Sequence, residues 1–389
     1  MNGTNGRIRI GIAGMGAAGR AFLPAIRGSA AFQLAAFAEP AAEVRAAAAA
    51  DTGAAAYADL PSMLGEADLD AVYVATPTEL HPEHVSLACA AGKHVLTEKP
   101  MAIRVEQAQA MIDAADRAGV KLLVGHSHSY DLPIKRMREI ITGGTLGRVR
   151  MIHTWNFTDW MYRPRRPGEF DVEQGGGITY RQGAHQVDVI RLLAGGLARS
   201  VRATTFDLDP ARRSIGAHTI FLQFADGAAA TAVYNGYGYF SGTELTSDVG
   251  EWGFAEPHDQ RAPVPRSAAA LTPEQELEAK RKRAKNAIPG SAPHQPHFGL
   301  TLVSCERGDI RQSPDGLIVY SEEGRREITL PADQSPRTLV LEEFAAAIGG
   351  APTTHTGRWG LANLEVCTAA IESSRSGKEI ELKHQVAVV

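Results

Sequence analysis

The sequence predicts an α/β protein in which a doubly wound parallel sheet, with helices on both faces, is followed by an α/β domain with a large, mostly antiparallel open sheet. Three observations predict this class. The chain has 389 residues, which fits two domains. Short apolar runs alternate with helical stretches up to residue 125, and longer alternating segments follow Tyr130. We therefore place the domains at residues 1–128 and 129–389.

Strand, helix and strand alternate through the first domain. The predicted strands are 7–13, 32–38, 71–75, 94–96 and 121–124, and the predicted helices are 18–27, 41–50, 81–91 and 105–118. Repeated units of this kind give a parallel sheet covered on both faces. The run 71–75 is continuously apolar, which is typical of a buried parallel strand.

The second domain begins with a helix and continues with alternating strands. We predict helices at 132–142, 337–348 and 361–374, and strands at 149–156, 217–224, 229–237, 317–320 and 326–330. The dipeptide Asp226-Gly227 predicts a hairpin turn between two of these strands. The proline-rich stretch 257–296 is interpreted as a surface excursion with a short helix at 273–285, whose basic run 280–285 is expected on a solvated face.

The composition excludes several classes of protein. Lys and Arg number 40 against 44 Asp and Glu, so there is no basic surplus for binding nucleic acid. No apolar run reaches the roughly 18 residues of a membrane span, and residues 1–7 lack the layout of a signal peptide. Three widely spaced cysteines show no metal-binding pattern. We expect a cytoplasmic protein without nucleic-acid or membrane partners.

A glycine-rich turn between the first strand and the first helix predicts a dinucleotide site. Its residues are Gly14, Met15, Gly16, Ala17, Ala18 and Gly19. In this GxGxxG pattern the first glycine permits a tight turn, the second admits the pyrophosphate, and the third lets helix and strand pack closely. Glu39 ends the second strand 20 residues after Gly19, where a carboxylate accepts ribose hydroxyls and repels a 2′-phosphate. NAD is therefore predicted, with NADP less favoured.

Two polar segments follow the next strands at the sheet edge where such folds bind ligands. The first runs from Thr76-Pro77 to His81, and the second contains Glu98-Lys99-Pro100. A lysine beside an oxidised nicotinamide has a lowered pKa, because it is partly desolvated and faces a positive charge. Lys99 is therefore a candidate base toward a substrate hydroxyl.

Several segments together resemble the Gfo/Idh/MocA oxidoreductase family over almost the whole chain. They are the GxGxxG turn, the Thr76-to-His81 segment, AGKHVLTEKP at 91–100, Gly175–Gly177 with His185 and Asp188, and LEVCTAAIESSRSGK at 364–378. The resemblance implies a Rossmann domain and a second domain whose open sheet often forms homodimers or homotetramers. It also implies that Lys99 is catalytic and that His185 lies beside the substrate. Thr76, Pro77, His81 and Glu98 would line the nicotinamide half of the cofactor.

Two departures from the family pattern bear on the substrate. Relatives acting on sugars and inositols usually carry an Asp four residues before the histidine, where this chain has Arg181. On one helix these two positions share a face, so Arg181 and His185 would point into one pocket, where a guanidinium can grip a carboxylate. His126 and His128 alternate on an extended segment, so only one of them can face the pocket, and His128 is the candidate substrate contact. No metal is predicted, since further ligands are lacking.

The loop 155–168 supplies the other predicted substrate contacts. Its candidate residues are Trp160, Tyr162, Arg163 and Arg166. Aromatic and arginine side chains suit a flat, anionic, ring-shaped ligand, although a rigid surface loop or an oligomer contact would also use them.

Within the family, this loop and the segment GGGITYRQGAHQVD are most similar to the phthalate cis-4,5-dihydrodiol dehydrogenase branch. The resemblance implies NAD-dependent oxidation of a cyclic carboxylate diol to 4,5-dihydroxyphthalate. Three alternatives remain open. They are a sugar, cyclitol or sugar-acid dehydrogenase, a lyase or glycosidase that oxidises its substrate transiently, and a non-catalytic NAD sensor.

Overall fold

The amino-terminal domain is built on a parallel sheet. The computed structural model describes residues 6–125, 128–260, 271–285 and 292–389. The strands of the first sheet are β1 (Ile8–Ala13), β2 (Phe32–Ala38), β3 (Ala55–Tyr57), β4 (Ala71–Val74), β5 (His94–Glu98) and β6 (Leu122–Gly125). In these described ranges their order is β3-β2-β1-β4-β5-β6. The strand order reverses between β1 and β4, and such a switch point opens a ligand crevice beyond the carboxyl ends of the strands.

The helices of this domain differ from the prediction in two respects: the helix at 60–66 was not predicted, and one predicted helix is divided. They are α1 (Ala17–Ala21), α2 (Leu23–Gly28), α3 (Ala42–Thr52), α4 (Leu60–Glu66), α5 (His81–Ala90) and α6 (Val105–Ala118). The single helix predicted at 18–27 is wrong, because the chain breaks at Phe22. Pro24 lacks the N–H that would bond to the carbonyl of Arg20, so a new helix starts there.

The second sheet is large and mostly antiparallel, as predicted. Its strands are β7 (Val149–Phe157), β8 (Ala198–Phe206), β9 (Ala217–Phe224), β10 (Ala229–Asn235), β11 (Leu300–Cys305), β12 (Gly308–Ser313), β13 (Gly316–Ser321), β14 (Gly324–Thr329) and β15 (Ile380–Glu381). Within the described residues the order is β14-β13-β12-β11-β7-β10-β9-β8-β15, and only β7 and β10 pair in parallel. The predicted hairpin joins β9 to β10, with Gly227 at a φ of 86°.

Helices from the end of the chain pack against both domains. The helices of this half are α7 (Leu132–Thr142), α8 (Gly177–Arg181), α9 (Gly183–Ala194), α10 (Pro273–Lys285), α11 (Pro336–Ile348) and α12 (Gly357–Ser376). α12 contacts β8 of the second sheet and also α6 and β6 of the first domain. α11 contacts α2. The ring of Phe344 on α11 also stacks on the ring of Phe32 at the start of β2, with the ring centres 5.7 Å apart. The domain boundary at residue 128 stays a prediction.

Asp188 anchors α9, the helix that carries His185. It is fully buried, and its Oδ1 accepts hydrogen bonds from Trp359 Nε1 at 2.6 Å and from Asn363 Nδ2 at 2.9 Å. Both donors lie on α12, so this carboxylate joins the two helices. A buried donor that loses its acceptor costs its full desolvation penalty.

We expect Asp188→Ala to lower the free energy of unfolding by about 2–4 kcal/mol, since it leaves two buried donors unpaired. Urea denaturation measures this difference. Asp113→Ala is the matched control, because Asp113 lies exposed on α6 and bonds only to Gln109 among the hydrogen bonds observed in the described residues. Equal stability of the two variants would contradict the anchoring role.

The cysteines and the helices add two observations. Cys89, Cys305 and Cys367 are free, and burial raises the pKa of each thiol, to about 12 for Cys367. Among the helices in the described ranges, none has both the length and the apolar character that crossing a bilayer requires. The cytoplasmic location stays a prediction.

Candidate active site

The glycine turn after β1 has the geometry that a dinucleotide requires. Gly14 has a φ of +96°, and a side chain there would come within 2.8 Å of Ala75 O. A Cβ on Gly19 would overlap Gly14 O, so this glycine lets α1 pack on the strand end. A Cβ on Gly16 would meet nothing within 4 Å, so space remains at the start of α1 for a pyrophosphate.

Glu39 holds the turn from the end of β2. Its Oε2 accepts a hydrogen bond from Met15 N at 3.0 Å, and its Oε1 accepts one from Ala41 N at 3.0 Å. Arg45 donates to the carbonyl of Glu39 at 2.7 Å instead of facing solvent alone. The carboxylate therefore lies beside the glycine turn, as an adenosine ribose site requires. These residues fit NAD.

The two glycines give a matched pair of variants. We expect Gly16→Ala to keep the thermal stability of the apoprotein and to weaken NAD binding, because its methyl group would enter the space left for the pyrophosphate. Gly19→Ala should lower the melting temperature itself, because its methyl group overlaps backbone. Thermal unfolding with and without NAD separates the two effects. The same loss of stability in both variants would contradict these roles.

Beyond β4 and β5, polar side chains tie the strand ends together. His81 is buried, with Nε2 2.9 Å from Thr76 O and Nδ1 3.0 Å from Pro100 O. Burial lowers the pKa of His81, so its ring is neutral at pH 7. Glu98 accepts hydrogen bonds from the hydroxyl of Tyr73 at 2.6 Å and from Lys99 N at 3.2 Å. Pro77 precedes a 3₁₀ turn at Thr78–Leu80.

Lys99 reaches across the crevice to the second domain. Its Nζ donates a hydrogen bond to the carbonyl of Arg181 at 3.1 Å. Burial is the largest cause that lowers the pKa of Lys99, to about 8; Arg181 also lowers it, while Glu98 and Glu251 oppose the shift. A lysine of this kind can accept a proton near neutral pH.

The helix expected to carry both Arg181 and His185 is broken. α8 ends at Arg181 and α9 begins at Gly183, with Gln182 at a φ of −115° between them. Gly183 packs against the ring of His218 at this bend. The prediction that the two residues share one helix face is therefore wrong.

The side chain of Arg181 points toward the first domain and toward Glu169, which directly follows the loop 155–168. Its Nη1 donates to Thr78 Oγ1 at 2.9 Å, and its Nη2 lies 3.7 Å from Glu169 Oε1. Burial is the main cause that lowers the pKa of Arg181, and Glu169 opposes it. Arg181 thus bridges the domains at the mouth of the crevice.

Glu169 is a buried carboxylate among four cations. Arg165 Nη1 and Arg181 Nη2 each lie 3.7 Å from Oε1, Arg166 Nε lies 3.9 Å from Oε2, and Lys280 pairs with Oε2. Burial alone would raise the pKa of Glu169, but Lys280, Arg181 and Arg165 outweigh it and hold the pKa at about 2. The cluster carries a surplus of positive charge.

α10 is docked rather than free, and this corrects the expectation of a solvated face at Lys280; Lys282 of the same run is exposed. Lys280 pairs with Glu169, and Glu276 is buried and accepts from Arg165 N at 2.7 Å and from Arg212. The helix also contacts α1, beside the glycine turn. The helix bounds were predicted correctly, but its contacts were not.

The other residues of the predicted substrate loop have diverse surroundings. Trp160 is only 1% exposed, with the guanidinium of Arg165 4.0 Å from its ring centre. Tyr162 donates to Asp209 at 2.9 Å, and Arg163 donates to Asp159 at 2.7 Å. Arg166 also reaches Glu79 at 3.2 Å. Their contacts with substrate stay predictions.

His185 lies in a buried aromatic group. Its ring centre is 4.6 Å from that of His128 and 5.0 Å from that of Phe298. His128 itself is 2% exposed, with Nδ1 3.0 Å from Asp131 Oδ2 and Nε2 3.4 Å from Glu251 Oε1. His126 lies outside the described residues.

Sequence reasoning missed several charged residues of this site, namely Asp131, Glu169, Glu251, Glu276 and Lys280. Asp131 follows His128 by three residues, and that spacing could have identified it. The others belong to no motif and reach the site only through the tertiary fold. Within the ranges described, no three or more His, Cys, Asp or Glu side chains form a group that could hold a metal ion. The predicted absence of a metal stays a prediction.

A Rossmann domain, a conforming glycine turn and a lysine of lowered pKa at the crevice define a dinucleotide-dependent oxidoreductase. The chain belongs to the Gfo/Idh/MocA family: the model of its NAD-binding Rossmann domain matches residues 8–126, and that of its carboxyl-terminal domain matches residues 134–245.

Individual relatives agree with this assignment. A 1-carboxy-3-chloro-3,4-dihydroxycyclohexa-1,5-diene dehydrogenase of Comamonas testosteroni is 36% identical over 377 residues, which cover 95% of each chain. A solved dehydrogenase of Bordetella bronchiseptica RB50 is 39% identical with a TM-score of 0.88, covering 97% of this chain and 100% of the other. The WlbA dehydrogenase of Bordetella pertussis, solved with NADH and UDP-GlcNAcA, shares the fold at 24% identity and a TM-score of 0.70, over 97% and 99% of the chains.

Proposed function

We propose that this NAD-dependent dehydrogenase oxidises a cis-diol on a carboxylated cyclohexadiene ring, with phthalate cis-4,5-dihydrodiol as the favoured substrate and 4,5-dihydroxyphthalate as the product. The observation that carries the proposal is the contact of Lys99 Nζ with Arg181 O, because it joins the base to the cationic cluster. The name of the Comamonas testosteroni relative describes a carboxylated dihydroxycyclohexadiene, which supports the same substrate class.

The proposed chemistry assigns a proton transfer to Lys99 and a hydrogen bond to His185. Lys99, neutral in part at pH 7, accepts the proton of one ring hydroxyl. NAD held by the glycine turn and Glu39 would supply the acceptor for the hydride that leaves the carbon bearing this hydroxyl. His185 hydrogen-bonds the second hydroxyl and holds the ring in place. The hydroxyketone that forms moves one ring proton to oxygen and becomes a catechol, so no further oxidant is needed, and the aromatic product makes the oxidation favourable.

The cationic cluster accounts for the carboxylates of the proposed substrate. Arg181 and Arg166 approach the crevice through Thr78 and Glu79, which follow β4. A guanidinium can bind a carboxylate with two parallel hydrogen bonds, whereas a sugar hydroxyl needs no such cation. Glu169 partly neutralises the cluster, so we expect one or two substrate carboxylates to be matched, not a polyanion.

Formation of NADH at 340 nm tests the proposal. The purified protein is given NAD with phthalate cis-4,5-dihydrodiol, myo-inositol, glucose or galacturonate in parallel, and the dihydrodiol is repeated with NADP. We expect turnover with the dihydrodiol and a preference for NAD, because Glu39 repels a 2′-phosphate. Turnover with neutral polyols alone would return the protein to the sugar or cyclitol branch. Silence with all four, while NAD still binds, would favour the lyase or the sensor.

We also propose that the outer face of the second sheet joins copies of the chain into a homodimer or homotetramer. Trp155 is 41% exposed there, beside Val233 and Leu300 on the neighbouring strands. Phe221 and Met151 add exposed fractions of 40% and 48% on the same sheet. Exposed apolar patches of this kind mark protein interfaces.

Light scattering after size exclusion should therefore give a mass of two or four chains for the natural protein and a smaller assembly for Trp155→Glu. Ala110→Glu, on the exposed side of α6, is the control and should keep the natural mass. A monomeric natural protein would exclude this interface.

A further inference from the structure

A buried ion cluster lies directly behind His185. His128 stands between two carboxylates, Asp131 on one side of its ring and Glu251 on the other, at 3.0 and 3.4 Å. The side chains of His128 and Asp131 are 3% and 2% exposed, so this cluster is screened from water. Such a cluster is costly to bury unless its charges compensate one another.

His128 is enclosed on its remaining sides by rings. Phe298 stacks on it with ring centres 4.3 Å apart, and Trp252 lies at 5.8 Å. The ring of His185 meets it edge to face at 4.6 Å and a 76° angle. The sequence predicts His128 as a substrate contact, but at 2% exposure it reaches a substrate poorly except through His185.

Glu251 connects this cluster to the outside. Its side chain is 27% exposed and lines a pocket of about 430 Å³, with Arg163 Nη1 at 4.0 Å. The loop that presents it contains Ser247 and Asp248 at φ values of 56° and 60°. Left-handed backbone at two successive non-glycine residues is strained and is retained only where the surrounding structure requires it.

We propose that Glu251 and His128 form a positioning pair, in which Glu251 fixes the ring of His128 and His128 in turn holds the ring of His185 toward the substrate. The proposal rests on the proposed function in one respect, the place of His185 beside the substrate. Both residues of the pair act through His185.

The charges that face the pair agree with this role. Burial alone would lower the pKa of His128, but Asp131 and Glu251 outweigh it and raise the pKa to about 9. Burial would raise the pKa of Glu251, but His128, Arg163 and Lys99 hold it at about 2.

The pKa of Asp131 is raised, whereas that of Glu251 is lowered. Burial raises its pKa to about 6, although His128 and Arg337 lower it, while Glu251 adds to the rise. At pH 7 His128 is therefore a cation and Glu251 an anion. Glu251 is also among the charges that raise the pKa of Lys99.

Glu251→Gln tests the pair, because it removes the charge and keeps the shape. We expect kcat for the diol to fall about tenfold, because the ring of His185 loses its support, while KM changes by less than about twofold. Glu251→Asp should restore part of kcat, because it keeps the anion. Glu256→Gln is the matched control, a neutralised carboxylate on the same pocket wall.

A histidine titration gives a readout that needs no substrate. In protein labelled at histidine ¹³Cε1, with the His128 signal assigned from its absence in His128→Gln, Glu251→Gln should titrate His128 at a lower pH than the natural protein. An unchanged His128 titration would overturn the pair. A kcat in Glu251→Gln equal to that of the natural protein would overturn it as well. If no alcohol is oxidised at all but the His128 signal moves, the proposed function fails and the pairing of His128 with Glu251 stands.

Discussion

Replacement of Lys99 by Met is expected to lower kcat for diol oxidation by about 10²–10⁴-fold, the range that a lost general base costs. The Met side chain is unbranched and only one atom shorter, but it can no longer take a proton or donate to Arg181 O. The dissociation constant for NAD should change little, because the glycine turn and Glu39 are untouched. Stopped-flow formation of NADH measures the first quantity and fluorescence titration the second.

The pH dependence of the natural enzyme follows from the same group. Because the pKa of Lys99 is about 8, about a tenth of the lysine is neutral at pH 7, and kcat/KM should rise with pH up to about 8 and then level off. Lys121→Met is the control. It removes an exposed lysine that directly precedes β6, at the opposite edge of the sheet from Lys99, and should leave both kcat and the pH profile unchanged. A Lys99→Met enzyme with near-normal kcat would move the base elsewhere.

The parts of the site that lie in one continuous segment could be predicted from the sequence. The pattern of the glycine turn from Gly14 to Gly19 is visible within one segment. Gly19 packs on the carbonyl of Gly14, and Gly16 leaves open space. Gly14 meets Ala75, which follows the neighbouring strand β4. Lys99 follows β5 directly, and the carboxyl end of a parallel strand already places it at the crevice. For both, the local pattern and the fold class give the same answer.

Contacts between distant segments could not be predicted. The bounds of α10 follow from local propensity, but its docking depends on the pairing of Lys280 with Glu169, 111 residues away. Glu251 lies in a loop with no periodic pattern, and only the packing of Trp252 and Phe298 around His128 shows where it points. The break at Gln182 arises from tertiary packing against His218, which the 3.6-residue helical period does not anticipate.

Replacement of Arg181 by Gln is the second variant with a large expected effect. We expect KM for the carboxylated diol to rise by about 10–100-fold, because a charged hydrogen bond contributes about 1.5–3 kcal/mol. Gln is too short to reach Thr78 Oγ1, but it keeps the backbone carbonyl that accepts from Lys99 Nζ, so the base should keep its position. Steady-state NADH formation over a range of diol concentrations measures KM and kcat separately.

The decisive comparison uses an uncharged substrate of the same shape. In the diamide of the same diol, both carboxylates are replaced by neutral amides. The natural enzyme should already have a high KM for this diamide, and Arg181→Gln should raise that KM by less than about threefold. Arg199→Gln is the control, because it removes an exposed guanidinium on β8 of the second sheet that bonds to Gln223. It should leave KM and kcat unchanged for both substrates. A loss of kcat that is equal for acid and amide would mean that Arg181 serves only to hold Lys99 and Glu169. A loss confined to the acid would assign the carboxylate to Arg181, because the amide shares every other contact of the ring.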